Sequence, residues 1–265
     1  MGMDIAEKAR HDAYWDSEAV RRPGLYRELQ RDPFATSFSF GRYKLHPILE
    51  RALRGLEKGA CVVDIGCGTG AQLSMSHDLG LAVVGLEPSI DLRTVAQRLN
   101  PDVPVKDGSV FRLPFDDASV DFAYAIEVLR YFPCADRLNA YQEILRVLKP
   151  GGRFFFTMSN RYALDGFSVY FAVRSLLSRL WSAARPPGTY FVSPRQLRGE
   201  LRAAGFGDTE FLGCVLGPVR IAYKILPRWS PRIASILDPL DDRLFKARWA
   251  VPFAGHLVAV ARRPS

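Results

Sequence analysis

The stretch VVDIGCGTG at residues 62–70 constrains the fold more than any other part of the sequence. Its β-branched residues and Ile65 predict a buried strand, and the three glycines at alternate positions predict a tight turn that leads into a helix. At such a turn the backbone can approach a ligand closely, and its N–H groups lie at the positive end of the helix. We therefore expect a nucleotide-like cofactor here.

Short β-branched or aromatic runs alternate with longer helical patterns along the chain. This alternation indicates βαβ units and a mostly parallel sheet with helices on both faces. No crossover helix separates the last two runs, so we expect an antiparallel final strand. The predicted strands are Cys61–Ile65, Ala82–Glu87, Val103–Lys106, Val120–Ile126, Gly152–Met158, Thr209–Leu216 and Leu257–Arg262. The predicted helices are Gln72–Asp78, Asp91–Leu99, Cys134–Leu148 and Pro194–Ala204.

Length and composition predict one elaborated globular domain. The chain has 265 residues, of which 48% are hydrophobic and 24% charged, which excludes collagen-like, disordered and disulfide-rich classes. The four cysteines form no CxxC pair and no metal-ligand spacing with the four histidines. We expect no metal site and a reduced, cytoplasmic protein. The first residues carry five acidic side chains and no apolar run, which is not typical of a secretory signal.

The positive charge is concentrated in the last two fifths of the chain. The net charge is +8, and residues 161–265 hold 16 basic against 7 acidic side chains. This asymmetry indicates either an anionic ligand or surface, or an arginine-rich composition without a function.

The aspartate before the glycines distinguishes between possible cofactors. A phosphate loop is excluded because no Lys-Ser/Thr pair follows Gly70. A dinucleotide fingerprint is formally matched by Gly66, Gly68 and Ala71. Asp64 would repel a pyrophosphate, however, and would attract an ammonium or sulfonium group.

Two further carboxylates follow the next two predicted strands. Glu87 lies 17 residues after Gly70 and could accept both hydroxyls of a ribose. Asp107 ends the third strand and could accept from an adenine amino group. Together with Asp64 they predict S-adenosylmethionine, a cationic adenosine without phosphate. The alternative is that these strand-end carboxylates only cap helices.

Four ordered motifs resemble the class I S-adenosylmethionine-dependent methyltransferases over about residues 60–160: DIGCGTG, GLEPS, DGSVFRLPFDDASVDFAYAIEVLRYF and EILRVLKPGGRFFF. The resemblance is greatest to the small-molecule branch that includes ubiquinone/menaquinone and sterol methyltransferases. It implies an α/β, Rossmann-like, seven-stranded sheet with an antiparallel last strand and helical lid insertions. It also implies S-adenosyl-L-methionine as cofactor and S-adenosyl-L-homocysteine as product.

The resemblance implies a cofactor site along one edge of the sheet. In that family the glycine turn holds the methionine portion, the second and third strand ends bind ribose and adenine, and the fourth faces the sulfonium. An N-terminal leader folds across, with an arginine available for the methionine carboxylate. The implied residues are Asp64, Gly66, Cys67, Gly68, Gly70, Glu87, Pro88, Ser89, Asp107, Gly108, Ser109, Ile126, Glu127, Tyr14 and Arg42.

Catalysis of methyl transfer depends mainly on alignment of the reacting atoms, so a base is optional. Oxygen-methylating relatives often carry a histidine after the fourth strand, in a pattern like EVLHH, whereas this chain has EVLRYF. Histidine-assisted catalysis from this turn is therefore not expected. Glu127 and Tyr131 are the catalytic candidates, and for each a structural role is equally compatible. The four histidines, including His256, are expected to have surface or packing roles.

Three segments outside the motif region are predicted to cover the acceptor. The predicted organisation is an N-terminal helical cap (1–58), a cofactor-binding core (59–160), a lid insertion (161–193), core (194–216), a second lid insertion (217–255) and the last strand (256–265). Arg174 and Arg179 argue against a membrane span in the first lid, which either packs on the core or lies in a membrane interface. Basic and aromatic residues interleave with aliphatics in the second lid.

The sequence thus predicts a methyltransferase that acts on a small, largely apolar acceptor with an anionic part. A natural product, a quinone, or a lipid-linked or carrier-linked intermediate would fit. The alternatives are an RNA-modifying methyltransferase, a non-catalytic S-adenosylmethionine-binding regulator, and a dehydrogenase. Nucleic acid is not favoured as a partner, and peripheral membrane contact stays open. The acceptor, the methylated atom and the oligomeric state do not follow from the sequence.

Overall fold

The carboxyl ends of five adjacent parallel strands and the start of one antiparallel strand lie at one edge of a central sheet. This computed structural model describes residues 32–164, 189–215, 219–245 and 247–265, with Gly166 and Gly217. The strands are β1 Cys61–Ile65, β2 Ala82–Leu86, β3 Val105–Lys106, β4 Val120–Ala125, β5 Leu148–Asn160, β6 Phe191–Val192, β7 Thr209–Cys214 and β8 His256–Arg262. The order is β3-β2-β1-β4-β5-β8-β7, and β6 pairs with β5.

Helices flank the sheet on both sides. They are α1 Ser37–Arg54, α2 Leu73–Asp78, α3 Ile90–Leu99, α4 Cys134–Val147, α5 Pro194–Ala203, α6 Val219–Ile225 and α7 Ser230–Phe245. Two 3₁₀ turns cover Leu129–Tyr131 and Arg248–Phe253.

The predicted α/β fold is confirmed, including the mostly parallel sheet and the antiparallel last strand. All seven predicted strands are present, and β8 is antiparallel to both of its neighbours. The structure adds the two-residue strand β6, which was too short to predict from its sequence. The third strand begins at Val105 rather than Val103, because only Val105 and Lys106 pair with β2.

Alternate residues of the central strands fill two separate cores. Phe122 and Tyr124 of β4 pack on one face of the sheet with Leu49 of α1, whereas Ala123 and Ala125 pack on the other face with Ile144 of α4. All of these side chains are buried. Burial on both faces explains why the strands read as continuous apolar runs rather than as alternating patterns.

The predicted helix boundaries have the expected local chemistry. The side chain of Ser193 accepts a hydrogen bond from the N–H of Gln196, and Pro194 is the first residue of α5. β5 begins at Leu148, directly after α4, and Gly151 near its start has a left-handed φ of 77°, a conformation that glycine adopts without strain.

A buried ion pair joins α4 to α5. Arg137 donates to both carboxylate oxygens of Glu200, over 2.9 and 2.6 Å, and also donates to the carbonyl of Phe132 over 2.7 Å. Arg137 is 1% exposed and Glu200 is 6% exposed. The pair therefore fixes the segment that follows the first 3₁₀ turn.

Parts of the predicted lids lie outside the described residues. These are residues 1–31, which include Tyr14, and most of the predicted first lid, at residues 165 and 167–188. The segment predicted as the second lid contains α6, α7 and the second 3₁₀ turn. No helix in the described residues is both long and apolar enough to cross a membrane.

Candidate cofactor and catalytic site

The end of β1 is the centre of the site edge. Asp64 lies opposite Gly85 of β2 and Tyr124 of β4 in the parallel ladders. The carboxyl ends of adjacent parallel strands meet at the same edge, where open α/β sheets bind ligands. Asp64, Glu87 and Glu127 therefore lie at three adjacent positions along this edge.

The glycine turn is held close to the end of β2. The N–H groups of Gly66 and Cys67 both donate to the carbonyl of Leu86, over 2.8 and 2.9 Å. Gly66, Gly68 and Gly70 have φ values of 69°, 59° and 78°. A side chain at position 66 would also place its Cβ 2.6 Å from Val128 Cγ2, so glycine is required there for two reasons.

Asp64 presents a buried carboxylate at the base of this turn. Its side chain is 2% exposed, and its Oδ2 atom accepts no hydrogen bond from the described residues. Burial, reinforced by the charge of Glu87, raises the pKa of Asp64 to about 7, although Arg42 and Tyr124 oppose the rise. Such a carboxylate is stabilised by a cation that binds beside it.

Glu87 lies directly under the glycine turn. Its Oε2 atom accepts from the N–H of Gly68 over 2.9 Å, and its Oε1 atom accepts from the N–H of Ser89 over 3.0 Å. Ser89 in turn caps α3 by accepting from the N–H of Leu92. These two hydrogen bonds hold the carboxylate in a fixed orientation beside the glycine turn.

The end of β3 is more open. Asp107 is 76% exposed and accepts a hydrogen bond from Arg93 over 3.0 Å. The same guanidinium donates to the carbonyls of Glu87 and Pro88, over 2.6 and 3.2 Å, and so ties β2 to β3. Gly108 and Ser109 follow, and Ser109 Oγ accepts from the N–H of Phe111. Adenine contact by these residues stays a prediction.

Glu127 follows β4 in an unusual backbone conformation. After the buried Ile126, Glu127 has a φ of 63°, which is rare for a residue with a side chain. Its N–H donates to Thr157 Oγ1 over 2.8 Å, and the Thr157 hydroxyl donates back to the carboxylate over 3.2 Å. These two hydrogen bonds hold the strained residue against β5.

Two arginines and a histidine lie around the Glu127 carboxylate. Arg130 donates to its Oε2 atom, and Nδ1 of His256 lies 3.1 Å from its Oε1 atom. Burial alone would raise the pKa of Glu127, but Arg130, His256 and Arg220 hold that pKa well below its usual range. Glu127 is therefore ionised and acts as the anionic centre of a buried cluster.

The sequence predicted a surface or packing role for His256, and its position beside the Glu127 carboxylate was not foreseen. It is 5% exposed, because Gly41 of α1 covers it: a Cβ at position 41 would lie 3.3 Å from His256 Nε2. Although Nδ1 lies 3.1 Å from Glu127 Oε1, the imidazole is not aligned for a hydrogen bond between these two atoms. Because β8 is antiparallel, its first residue lies at the same edge as the carboxyl ends of the parallel strands. The position of His256 at the start of the predicted antiparallel strand could therefore have identified it as a site residue.

Two other predicted residues lie near the edge. Arg42 is close enough to Asp64 to oppose the rise in the pKa of that carboxyl group, and its guanidinium lies 5.2 Å from the centre of the Phe38 ring. Tyr131 packs against Arg130, with 5.3 Å between the guanidinium carbon and the ring centre. Tyr14 lies outside the described residues.

This arrangement fits the predicted cofactor. A buried carboxylate oxygen without a hydrogen-bond donor suits an ammonium group, and the turn offers a glycine-lined approach. The fixed carboxylate of Glu87 suits a pair of hydroxyls. No cluster of three or more His, Cys, Asp or Glu side chains within the described ranges is arranged to hold a metal ion.

Comparison with known proteins gives one matching family and several relatives. Residues 63–156 match the family described as a methyltransferase domain. The chain is 35% identical over 141 residues to a tRNA (carboxymethyluridine(34)-5-O)-methyltransferase of Schizosaccharomyces pombe, covering 52% of this chain and 60% of that protein. It is 26% identical over 244 residues to a ubiquinone biosynthesis O-methyltransferase of Azorhizobium caulinodans, covering 84% of this chain and 88% of that protein.

The structural likeness extends over nearly the whole chain. A chain in the complex between the Haloferax volcanii Trm112 methyltransferase activator and a methyltransferase superposes with a TM-score of 0.64. It is 23% identical, and the superposition covers 96% of this chain and 98% of that chain. The matched region spans 60% or less of the length of the first curated relatives.

Proposed function

We propose, from its place in the class I S-adenosylmethionine-dependent methyltransferase superfamily, that this chain transfers a methyl group to a hydroxyl of a small acceptor. The predicted superfamily, Rossmann-like fold and cofactor class are confirmed by the methyltransferase domain at residues 63–156. The acceptor and the roles of individual residues are the proposal.

Three carboxylates, those of Asp64, Glu87 and Asp107 at the ends of β1, β2 and β3, would hold the cofactor. Asp64 would receive the ammonium group and Glu87 the ribose hydroxyls, while Asp107 and Ser109 would lie beside the adenine. Arg42, which lies near Asp64, would pair with the methionine carboxylate. When bound, S-adenosylmethionine supplies an activated methyl group on a sulfonium centre.

The Glu127–His256 pair is the observation that carries the acceptor proposal. Nδ1 of His256 lies 3.1 Å from the Glu127 carboxylate without a formed hydrogen bond, and a small rotation of the imidazole would align an Nδ1 proton with that carboxylate and leave Nε2 as an acceptor. An acceptor hydroxyl beside Nε2 could then pass its proton to His256 as its oxygen is methylated. A base of this kind suits oxygen more than carbon acceptors.

Burial of the pair supports a small acceptor. His256 is 5% exposed and its Nε2 atom lies next to Gly41 of α1, so a bulky acceptor could not approach Nε2 in this arrangement. The alignment with the ubiquinone biosynthesis O-methyltransferase covers most of both proteins, which agrees with an oxygen acceptor. We also propose that the acceptor is substantially apolar.

A tRNA acceptor is the second candidate, favoured by the 35% identity to the Schizosaccharomyces pombe tRNA methyltransferase. Residues 161–265 hold 16 basic and 7 acidic side chains, and this positive charge is compatible with a tRNA acceptor. Affinity for RNA would fall steeply with salt, because phosphate contacts release counterions.

Transfer of labelled methyl groups distinguishes the two candidates. The purified chain would be assayed with a panel of small hydroxylated aromatics and lipids, and separately with unmodified tRNA. We expect transfer to at least one small acceptor, with little dependence on salt. Transfer to tRNA alone would replace the first candidate with the second.

Cofactor affinity should depend on pH through Asp64. Its carboxyl pKa of about 7 means that the cofactor-free protein holds this proton until the pH approaches neutrality. A bound ammonium group favours the ionised form, so affinity for S-adenosylhomocysteine should rise with pH and level off above the pKa. We expect binding to be about tenfold weaker at pH 6 than at pH 8 by calorimetry. In Asp64→Asn binding should be weaker and nearly independent of pH, and an unchanged slope would contradict the assignment.

Glu87→Gln should weaken S-adenosylhomocysteine binding by about 10–100-fold, because the ribose would lose charge-assisted hydrogen bonds. The matched control is Asp107→Asn, whose exposed carboxylate should contribute less than Glu87. Comparing S-adenosylhomocysteine with adenine in each variant isolates the ribose contribution. Equal losses for both ligands in Glu87→Gln would indicate that Glu87 only supports the glycine turn.

A further inference from the structure

Exposed apolar side chains are concentrated in one part of the chain. Of thirteen large hydrophobic side chains that are exposed in the described residues, seven lie between residues 225 and 253. They are Ile225, Leu226, Trp229, Ile236, Leu240, Trp249 and Phe253. Exposed patches of this kind, mixed with charged residues, mark interaction surfaces.

The outer face of α7 carries two apolar residues flanked by two arginines. Arg232, Ile236, Leu240 and Arg243 follow one another at spacings of four, four and three residues, and all four are exposed. Such spacing places them within a single stripe of an α-helix. Ile236 and Leu240 are 76% and 52% exposed.

The acidic residues of α7 all point the other way. Asp238, Asp241 and Asp242 lie roughly 120–160° around the helix from Ile236. Nζ of Lys44 in α1, whose side chain is 4% exposed, lies 2.6 Å from Asp238 and 3.2 Å from Asp241, and also contacts Asp242. One buried lysine thus contacts every carboxylate of the helix, and the four stripe residues carry only positive charge, although Asp242 is itself 62% exposed.

The turn before α7 continues this surface. Residues 224–229 are all exposed, including Leu226, Arg228 and Trp229, and the Arg232 guanidinium lies 5.9 Å from the centre of the Trp229 ring. Arg228, Arg232 and Arg243 form no ion pair with a residue that the structure describes. We name this surface, formed by Leu226, Arg228, Trp229, Arg232, Ile236, Leu240 and Arg243, the basic–apolar stripe.

We propose that the basic–apolar stripe docks the protein on an anionic lipid surface. Aliphatic side chains and tryptophan would enter the headgroup boundary, and the arginines would pair with lipid phosphates. The stripe carries aliphatic residues at its centre, where a nucleic-acid surface would present stacking aromatics and a continuous groove of positive charge. The absence of any carboxylate from the outer stripe matches a negatively charged bilayer.

Co-sedimentation with vesicles tests the proposal. The intact chain would be mixed with vesicles of phosphatidylcholine alone, or of phosphatidylcholine with phosphatidylglycerol. One triple variant carries Arg228→Gln, Arg232→Gln and Arg243→Gln, and another carries Trp229→Ala, Ile236→Gln and Leu240→Gln. The matched control carries Arg51→Gln, Arg98→Gln and Arg202→Gln, which removes the same charge from three exposed arginines in the last turns of α1, α3 and α5.

We expect binding only to the anionic vesicles, a loss of about tenfold or more in both stripe variants, and a change below about twofold in the control. All variants should keep the wild-type melting temperature, because every substituted side chain is exposed. The proposal is overturned if wild type does not bind anionic vesicles, or if the control loses as much as the arginine variant. It is also overturned if the stripe variants lose affinity for tRNA while vesicle binding is unchanged, since the stripe would then be a nucleic-acid surface.

Discussion

His256→Asn should lower kcat by about 10²–10⁴-fold and leave the Kd for S-adenosylhomocysteine unchanged. Asparagine can still present an amide nitrogen towards Glu127 in place of Nδ1, but it has no counterpart of the basic Nε2 atom. Loss of a positioned general base costs this much in enzymes that depend on one. The measurement is single-turnover transfer of labelled methyl, with the Kd followed by calorimetry.

Two comparisons separate proton transfer from packing. Ser159 lies opposite His256 in the β5–β8 ladder and is equally buried, so Ser159→Ala tests the effect of a small change at the same place. We expect Ser159→Ala to keep kcat within about threefold. If His256 accepts a proton, raising the pH should restore part of the His256→Asn activity as the acceptor hydroxyl ionises on its own. A defect of equal size at every pH would show that His256 only packs.

Glu200→Ala should lower the free energy of unfolding by about 3–5 kcal/mol, because it leaves the buried guanidinium of Arg137 without its carboxylate. Among the described residues, Arg137 would then retain its hydrogen bond to the Phe132 carbonyl and no carboxylate partner. The measurement is urea-induced unfolding followed by circular dichroism. The double variant Arg137→Met with Glu200→Leu should recover most of the loss, because it removes both buried charges together.

An exposed ion pair provides the matched control for Glu200→Ala. Asp117 pairs with Arg146 but is 77% exposed, so Asp117→Ala should cost less than about 1 kcal/mol. If Glu200→Ala and Asp117→Ala cost the same, water must reach the α4–α5 pair, and the described burial would be wrong.

The core of the fold and the cofactor edge could be predicted because their signals are local. The glycines of the turn after β1 require left-handed backbone, and the carboxylate of Asp64 has a charge that a pyrophosphate would not tolerate. Continuous apolar runs such as Phe154–Phe156 report burial on both faces of the sheet. These features depend on neighbouring residues and need no knowledge of distant contacts.

The remaining features of the site depend on contacts between distant parts of the chain. His256 lies 129 positions beyond Glu127 in the sequence, and only the antiparallel pairing of β8 brings the two together. The orientation of α7 likewise depends on Lys44 of α1, almost two hundred residues earlier. Neither contact produces a periodic pattern in the sequence. The sequence alone therefore predicts no more than a surface or packing role for His256.

The most direct test of the cofactor site is calorimetric titration of the purified chain with S-adenosylhomocysteine and, separately, with NAD. Asp64 and Glu87 predict saturable binding of S-adenosylhomocysteine with one site per chain, and no binding heat from NAD, whose pyrophosphate would meet a buried carboxylate. Binding of NAD with equal or greater affinity would contradict the account, because the glycine turn would then cradle a dinucleotide.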